Sequence, residues 1–218
     1  MMIMKQERLD TLADGVFAIV MTLLVFEIRI PEYSGHINDW TLLWSLFKLT
    51  PLFLSYLLSF SLLFTYWRSH HFIASVLAKN IDIRFSNLSA LFLFFVALIP
   101  FSSHLLGKYS YSPVAITFFA LNVICIGCIL YTMRKYVIHS SEIKNTRVTR
   151  IENQHANMRI LFPVGAAIVA IIVSFINNHI ALSLFTIAIL FNLSRRSTGY
   201  ISKCIEFFSK KEEISDEE

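Results

Sequence analysis

The residues able to do chemistry are few, and several crowd one short stretch. Asp10 and Asp14 precede an uncharged core at residues 15–26, and Glu27 and Arg29 follow it, with Arg8 two residues before Asp10. Charges inside or at the edge of a membrane are costly, so their placement points to ion handling or to protein contacts rather than to lipid. Other constellations are weaker. His70 and His71 are adjacent, so on a helix they diverge by about 100° and do not share a metal. Cys125-Ile-Gly-Cys128 has redox spacing, but it lies inside an apolar run with no strand before it and reads as two small packing residues. His104 and His179 stand apart from these groups. No catalytic set is expected, and no metal or cofactor.

The elements that must position these groups follow from composition. Of 218 residues, 56% are hydrophobic and 16% charged, with 20 Phe; soluble domains average about 45–50% and about 25%. Mean hydropathy is +0.61. Residues 49–67, 85–107, 109–133 and 160–194 form runs of 19, 23, 25 and 35 residues without Asp, Glu, Lys or Arg. An apolar run of about 18 residues spans a hydrocarbon core of about 30 Å as a helix. Four such runs exclude an ordinary soluble enzyme. The net charge of +4 is small and scattered, which excludes a nucleic-acid reader. Three cysteines give no disulfide framework.

The 35-residue run is too long for one crossing and divides at Asn177-Asn178-His179, giving spans at 160–176 and 180–194. With spans at 49–67, 85–106 and 114–133, and the N-terminal stretch 8–31, the chain reads as an all-α polytopic membrane protein with six transmembrane helices. In that arrangement both termini share one side. Sixteen of the nineteen Lys and Arg fall there, all but Arg29, Lys48 and Lys108. The positive-inside rule then puts both ends in the cytoplasm. Five spans, with the first stretch lying at the interface, fit the charges less well. Residues 1–198 form the membrane domain and 199–218 a charged cytoplasmic tail. No cleavable leader is expected, because the basic start is weak and no small-x-small site follows the apolar stretch. The longest loop, 134–159, reads as a solvated connection that extends its flanking helices.

Within the first span, Ile19, Leu23, Phe26 and Ile30 follow helical spacing, with Leu12, Gly15 and Thr22 near the same face. Such a stripe fits plain packing. It also fits a symmetric oligomer whose first helices ring an axis and form an apolar constriction. Periodicity does not choose. Arg8 and Asp14 project about 120° apart on a helix, so each is expected to bond another helix or another subunit. Tyr66-Trp67-Arg68-Ser69-His70-His71 closes the second span at the depth of Arg8 and Asp14, with Trp67 placed as an interfacial anchor.

Arg8-x-x-x-Leu12-Ala13-Asp14, leading into Gly-Val-Phe-Ala-Ile-Val-Met-Thr-Leu-Leu-Val and ending at Ile30-Pro31, resembles the first helix of the transmembrane protein 175 potassium channels. Tyr66-Trp67-x-x-His70-His71 resembles their second-helix motif, and Asn87-Leu88 with Pro100-Phe101 their third helix. The likeness covers roughly residues 8–110. It implies a six-helix subunit, a homotetramer in a bacterial plasma membrane, and potassium permeation along a central pore lined by the first helix. By position it implies Ile19 as the narrowest ring, Leu23 and Phe26 as further layers, and Thr22 as the pore-near hydroxyl. It assigns Arg8, Asp14, Trp67 and His70 to a network bracing that helix. The family signature has Phe-Ser where this chain has Leu12-Ala13. Glu27, Glu32 and Asp39 would raise the cation concentration at the outer mouth. The rival class is a secondary transporter of a small solute, for which the Asn177-Asn178-His179 break would be a discontinuous helix.

Overall fold

A computed structural model describes residues 6–29, 38–78, 81–140 and 150–193, with side chains described only for 157–192 in the last stretch. The described residues form eight helices. Helix α1 (Gln6–Leu23) tightens into a 3-10 turn (Leu24–Glu27), and α2 (Asp39–Lys48) is short. Helix α3 (Thr50–His71) widens into a π turn (Phe72–Leu77). There follow α4 (Ile83–Ala97), α5 (Ile99–Lys108), α6 (Pro113–His139), α7 (Arg150–Ser174) and α8 (Asn178–Leu193). Gln6–Glu27, Thr50–Leu77, Ile83–Lys108, Pro113–His139 and Asn157–Ser174 are each long and apolar enough to cross a bilayer, and Asn178–Asn192 is a shorter apolar helix. The six expected crossing segments are therefore present in an all-α polytopic fold. The C-terminal tail 199–218 lies outside the described residues.

Local chemistry sets the boundaries. Asn38 caps α2 by accepting from the Thr41 N–H at 2.8 Å, and Asp82 caps α4 from the Phe85 N–H at 2.8 Å. Pro51 and Pro113 occupy first turns, where a missing N–H is tolerated. Pro100 has a larger effect. It cannot bond the Val96 carbonyl, so the span read as 85–106 breaks at Leu98, whose N–H bonds Phe95 O at 3.2 Å. The Asn177 break is a hairpin turn: its side chain accepts from the His179 and Ile180 N–H groups at 3.0 and 3.2 Å and starts α8. The discontinuous helix that a transporter reading would need is not found there. Helix α2 is the one element absent from the sequence reading, which left its residues in a connection.

Helix α6 packs on α7, which packs on α8; α3 lies against α5 and α8, and α4 and α5 pack against α6. The core is apolar, with Leu58, Leu62, Leu63, Phe92, Phe119 and Val123 fully enclosed. Small polar groups join the spans where water is absent. Ser59 Oγ donates to Ser103 Oγ at 2.8 Å, Asn122 Nδ2 to Ser102 Oγ at 3.3 Å, and Tyr66 Oη to Val123 O at 3.0 Å. Each such bond contributes about 0.6 kcal/mol between membrane helices. The Tyr136 hydroxyl donates to Asp82, tying α6 to the start of α4.

Close approach of α3 and α5 depends on Gly107. A Cβ there would stand 2.5 Å from Ser55 Oγ and 3.0 Å from the Leu52 Cα. Gly107→Ala should therefore destabilise by about 1–3 kcal/mol, read as a lower thermal midpoint in detergent. Gly165→Ala, where a Cβ meets nothing within 4 Å, should be neutral or mildly stabilising through helix propensity.

Candidate functional site

Helix α1 has two unlike faces. Leu9, Ala13, Phe17, Val20 and Leu24, spaced by three or four, are buried against α3 and α4. Phe17 meets Phe92 with centroids 5.9 Å apart. The opposite face is bare: Leu12, Gly15, Ile19, Thr22, Leu23 and Phe26 are all exposed, with Ile19 at 60% and Phe26 at 66%. Only 28% of the apolar stretch of this helix is buried, the same as for Asn157–Ser174 and less than the 44–50% of the other three long spans. Plain packing within the subunit is thus excluded for the stripe. The Thr22 hydroxyl donates back to Ala18 O at 3.0 Å and Ile19 O at 2.8 Å, so its oxygen lone pairs face outward. Ile30 lies outside the described residues.

A polar ladder fixes the start of α1. Gln6 Nε2 donates to Ala74 O at 2.5 Å, Asp10 Oδ2 accepts from Ser75 Oγ at 2.8 Å, and Asp14 Oδ1 accepts from Trp67 Nε1 at 2.7 Å. The three rungs on α1 are four residues apart and therefore on one face. On α3 the Trp67 indole stacks on His71 at 6.0 Å, and Ser75 Oγ lies 3.4 Å from His71 Nδ1. The π turn presents the last rungs. Its i→i+5 bond, Ala78 N–H to Ile73 O at 3.0 Å, alters the register around Ala74 and Ser75. At the other end, Glu27 Oε2 comes 2.7 Å from His104 Nδ1. That approach is off the line of a hydrogen bond, and it sets the 3-10 turn against α5.

The residues expected to brace α1 are distributed unevenly. Asp14 and Trp67 are directly bonded, so Trp67 uses its N–H on a protein partner. His70 is buried and does not bond Asp14; its ring stacks on Phe92 at 5.0 Å and 4°. Because Phe92 also meets Phe17, His70 reaches α1 through an aromatic column. Its Nε2 has no hydrogen-bond partner among the described residues. Arg8 is exposed and, among the described residues, in no ion pair. Leu12 faces outward at 52% exposure while Ala13 is buried. An aromatic at position 12 would therefore reach beyond the subunit, and a hydroxyl at 13 would have to be satisfied inside it.

Sequence reasoning missed Gln6, Ser75 and the Glu27–His104 contact. The signal for the ladder was present in the four-residue spacing of Gln6, Asp10 and Asp14 and of Trp67, His71 and Ser75. Its register across the two helices was not. Asp39 begins α2 and is exposed, and Glu32 lies outside the described residues. No group of three or more His, Cys, Asp or Glu able to hold a metal occurs among the described residues. Cys125 and Cys128 are free thiols.

Charge-assisted bonds of the Asp14–Trp67 kind contribute about 1.5–3 kcal/mol when shielded and less when exposed. A double-mutant cycle of Trp67→Phe and Asp14→Asn, read by denaturant unfolding in micelles, should give a coupling of about 1 kcal/mol. Additive effects would mean that the contact carries no stability.

Three comparisons place this geometry. The family model described as endosomal/lysosomal potassium channel TMEM175 matches residues 8–100, the stretch holding most of α1, the Asp10 and Asp14 rungs of the ladder and Pro100. A potassium channel of Chamaesiphon minutus is 31% identical over 190 residues, covering 85% of this chain and 93% of that protein. A potassium channel of a Chryseobacterium species is 28% identical, covering 84% of this chain and 89% of its own length. The crystal structure of a lysosomal potassium-selective channel TMEM175 homologue from Chamaesiphon minutus superposes with a TM-score of 0.74. It is 28% identical, covering 88% of this chain and 97% of that one. In sequence and in fold alike, this integral membrane protein belongs to the TMEM175 family.

Proposed function

We propose that the chain is a potassium channel, a homotetramer whose four α1 helices surround a central pore. The observation that carries this reading is the bare stripe of α1. Ile19, Thr22, Leu23 and Phe26 are exposed on the side opposite the one packed into their own subunit. A face of that kind, on a helix held at both ends by polar contacts, suits a symmetry axis. The relatives named as potassium channels supply the ion.

Ions would move by diffusion past apolar rings. Ile19 forms the narrowest ring and Leu23 and Phe26 the outer layers, so hydrated ions meet a barrier of dewetting rather than a ring of carbonyls. Thr22 turns its oxygen lone pairs to the pore one turn above Ile19 and favours cations. The carbonyl end of α1 adds the negative pole of the helix dipole at the outer mouth. Asp14, through Trp67, and His70, through Phe92, keep the pore helix from rotating; Arg8 is left for a neighbouring subunit. Residues 1–198 are the channel domain of a bacterial plasma membrane protein, both termini are cytoplasmic, and 199–218 are a charged tail. Neither a cofactor nor a metal is required by this mechanism, and no catalytic step enters it.

Ile19→Asn should raise potassium flux into liposomes by about tenfold, equivalent to about 1.4 kcal/mol off the barrier, and should lower potassium-over-sodium discrimination in a bi-ionic reversal potential. Equal flux and equal selectivity in the variant would remove Ile19 from the pore. Saturable uptake coupled to a second gradient would replace the channel with a transporter.

A further inference from the structure

Helix α2 is formed but hardly supported by the bundle. Ser45 is its one buried residue, while Trp40, Trp44 and Phe47 are 79%, 65% and 62% exposed. Its local bonds are complete: Asn38 Oδ1 accepts from the Thr41 N–H and hydroxyl, and Ser45 Oγ donates to Thr41 O. Ten residues are still too few for a stable helix in water unless an apolar face is covered. Trp40, Leu43, Trp44 and Phe47 follow i, i+3, i+4, i+7 spacing, exposed Leu42 and Leu46 widen the apolar surface around the helix, and Thr41, Ser45 and Lys48 form a narrow polar strip along one flank with Ser45 turned to the protein. The charges, Asp39 and Lys48, stand only at the two ends.

Depth and surroundings identify what covers it. Leu49 closes α2 and opens α3, so the helix lies at the mouth of a membrane span. The span bends there because Pro51 cannot bond Phe47 O, which accepts from Thr50 Oγ1 at 2.6 Å instead. At the same end of the bundle, between α5 and α6, Tyr109 and Tyr111 are also exposed, 39% and 67%. Trp and Tyr gather at this level because their rings favour the boundary between headgroup and hydrocarbon.

We infer that α2 is an interfacial helix, lying in the headgroup–hydrocarbon boundary of a phospholipid leaflet with Trp40 and Trp44 as anchors and its Ser45 side against the bundle. Its face sinks about 5–10 Å below the headgroups. Tyr109 and Tyr111 continue the same aromatic belt. The placement fixes the depth at which α3 begins and does not depend on which ion, if any, the protein conducts.

The test uses full-length protein in phosphatidylcholine vesicles whose acyl chains are brominated either near the headgroup or near the bilayer centre. The emission of α2 is the difference between wild type and the Trp40→Phe/Trp44→Phe variant, since Trp67 is the third and last tryptophan. Shallow bromine should cut that difference signal by about half, deep bromine clearly less, and aqueous iodide little. Single Trp40→Phe and Trp44→Phe proteins give the same reading residue by residue if the double variant does not reconstitute. Quenching by iodide alone would place α2 in water and overturn the inference. Insensitivity to both bromine positions and to iodide would place it against a neighbouring copy and overturn it as well.

Discussion

The arrangement depends on α1 being closed on one side and open on the other. A membrane supplies no hydrophobic force between helices, so a span stays in one rotation only if packing and polar contacts specify it. Here they do. Phe17 seats against Phe92, and His70 stacks on the same ring. Gln6, Asp10 and Asp14 reach the end of α3, and Glu27 reaches His104. Rotating α1 by one residue, about 100°, would break every rung and turn Ile19 and Phe26 out of register.

The polar contacts also explain how the first span can carry Asp10, Asp14 and Glu27. Asp10, Asp14 and Glu27 each meet another element: Asp10 and Asp14 accept from neutral donors, a hydroxyl and an indole, and Glu27 lies beside the His104 imidazole. A neutral donor stabilises a carboxylate without bringing a second charge out of water, so the desolvation cost of a full ion pair is avoided. The Asp14–Trp67 bond is partly exposed and contributes modestly; its value is directional. The π turn after His71 belongs to the same device, since a regular helix there would carry Ala74 and Ser75 in a different register.

Much of this was legible in the sequence, for physical reasons that can be named. Uncharged runs of membrane length locate the spans because a charge in hydrocarbon is rare. The stripe through Ile19, Leu23 and Phe26 is visible because a helix repeats every 3.6 residues. Contacts between residues 53 to 68 positions apart, as in the ladder, leave only matching four-residue spacings in one chain and no hint of which spacings meet. His70 shows the same limit: its partner is a phenyl ring on α4, chemically unlike the acid that spacing and depth suggested. Helix α2 escaped because ten residues with Asp39 and Lys48 at the ends fall below any span-length pattern. The break at Leu98 was hidden inside a continuous apolar run, although Pro100 marks it.

The central claim is that the bare stripe of α1 faces its symmetry mates across the ion path. Four thiols at position 19 would then converge on the axis and bind a soft divalent cation. In protein with Cys125, Cys128 and Cys204 replaced by Ser, Ile19→Cys should confer block of liposomal potassium flux by micromolar cadmium, reversed by a chelator. Phe17→Cys, on the packed face, should not. Flux through Ile19→Cys that cadmium leaves untouched, with the thiol labelled only by lipid-soluble reagents, would mean that the stripe faces lipid and that the pore lies elsewhere.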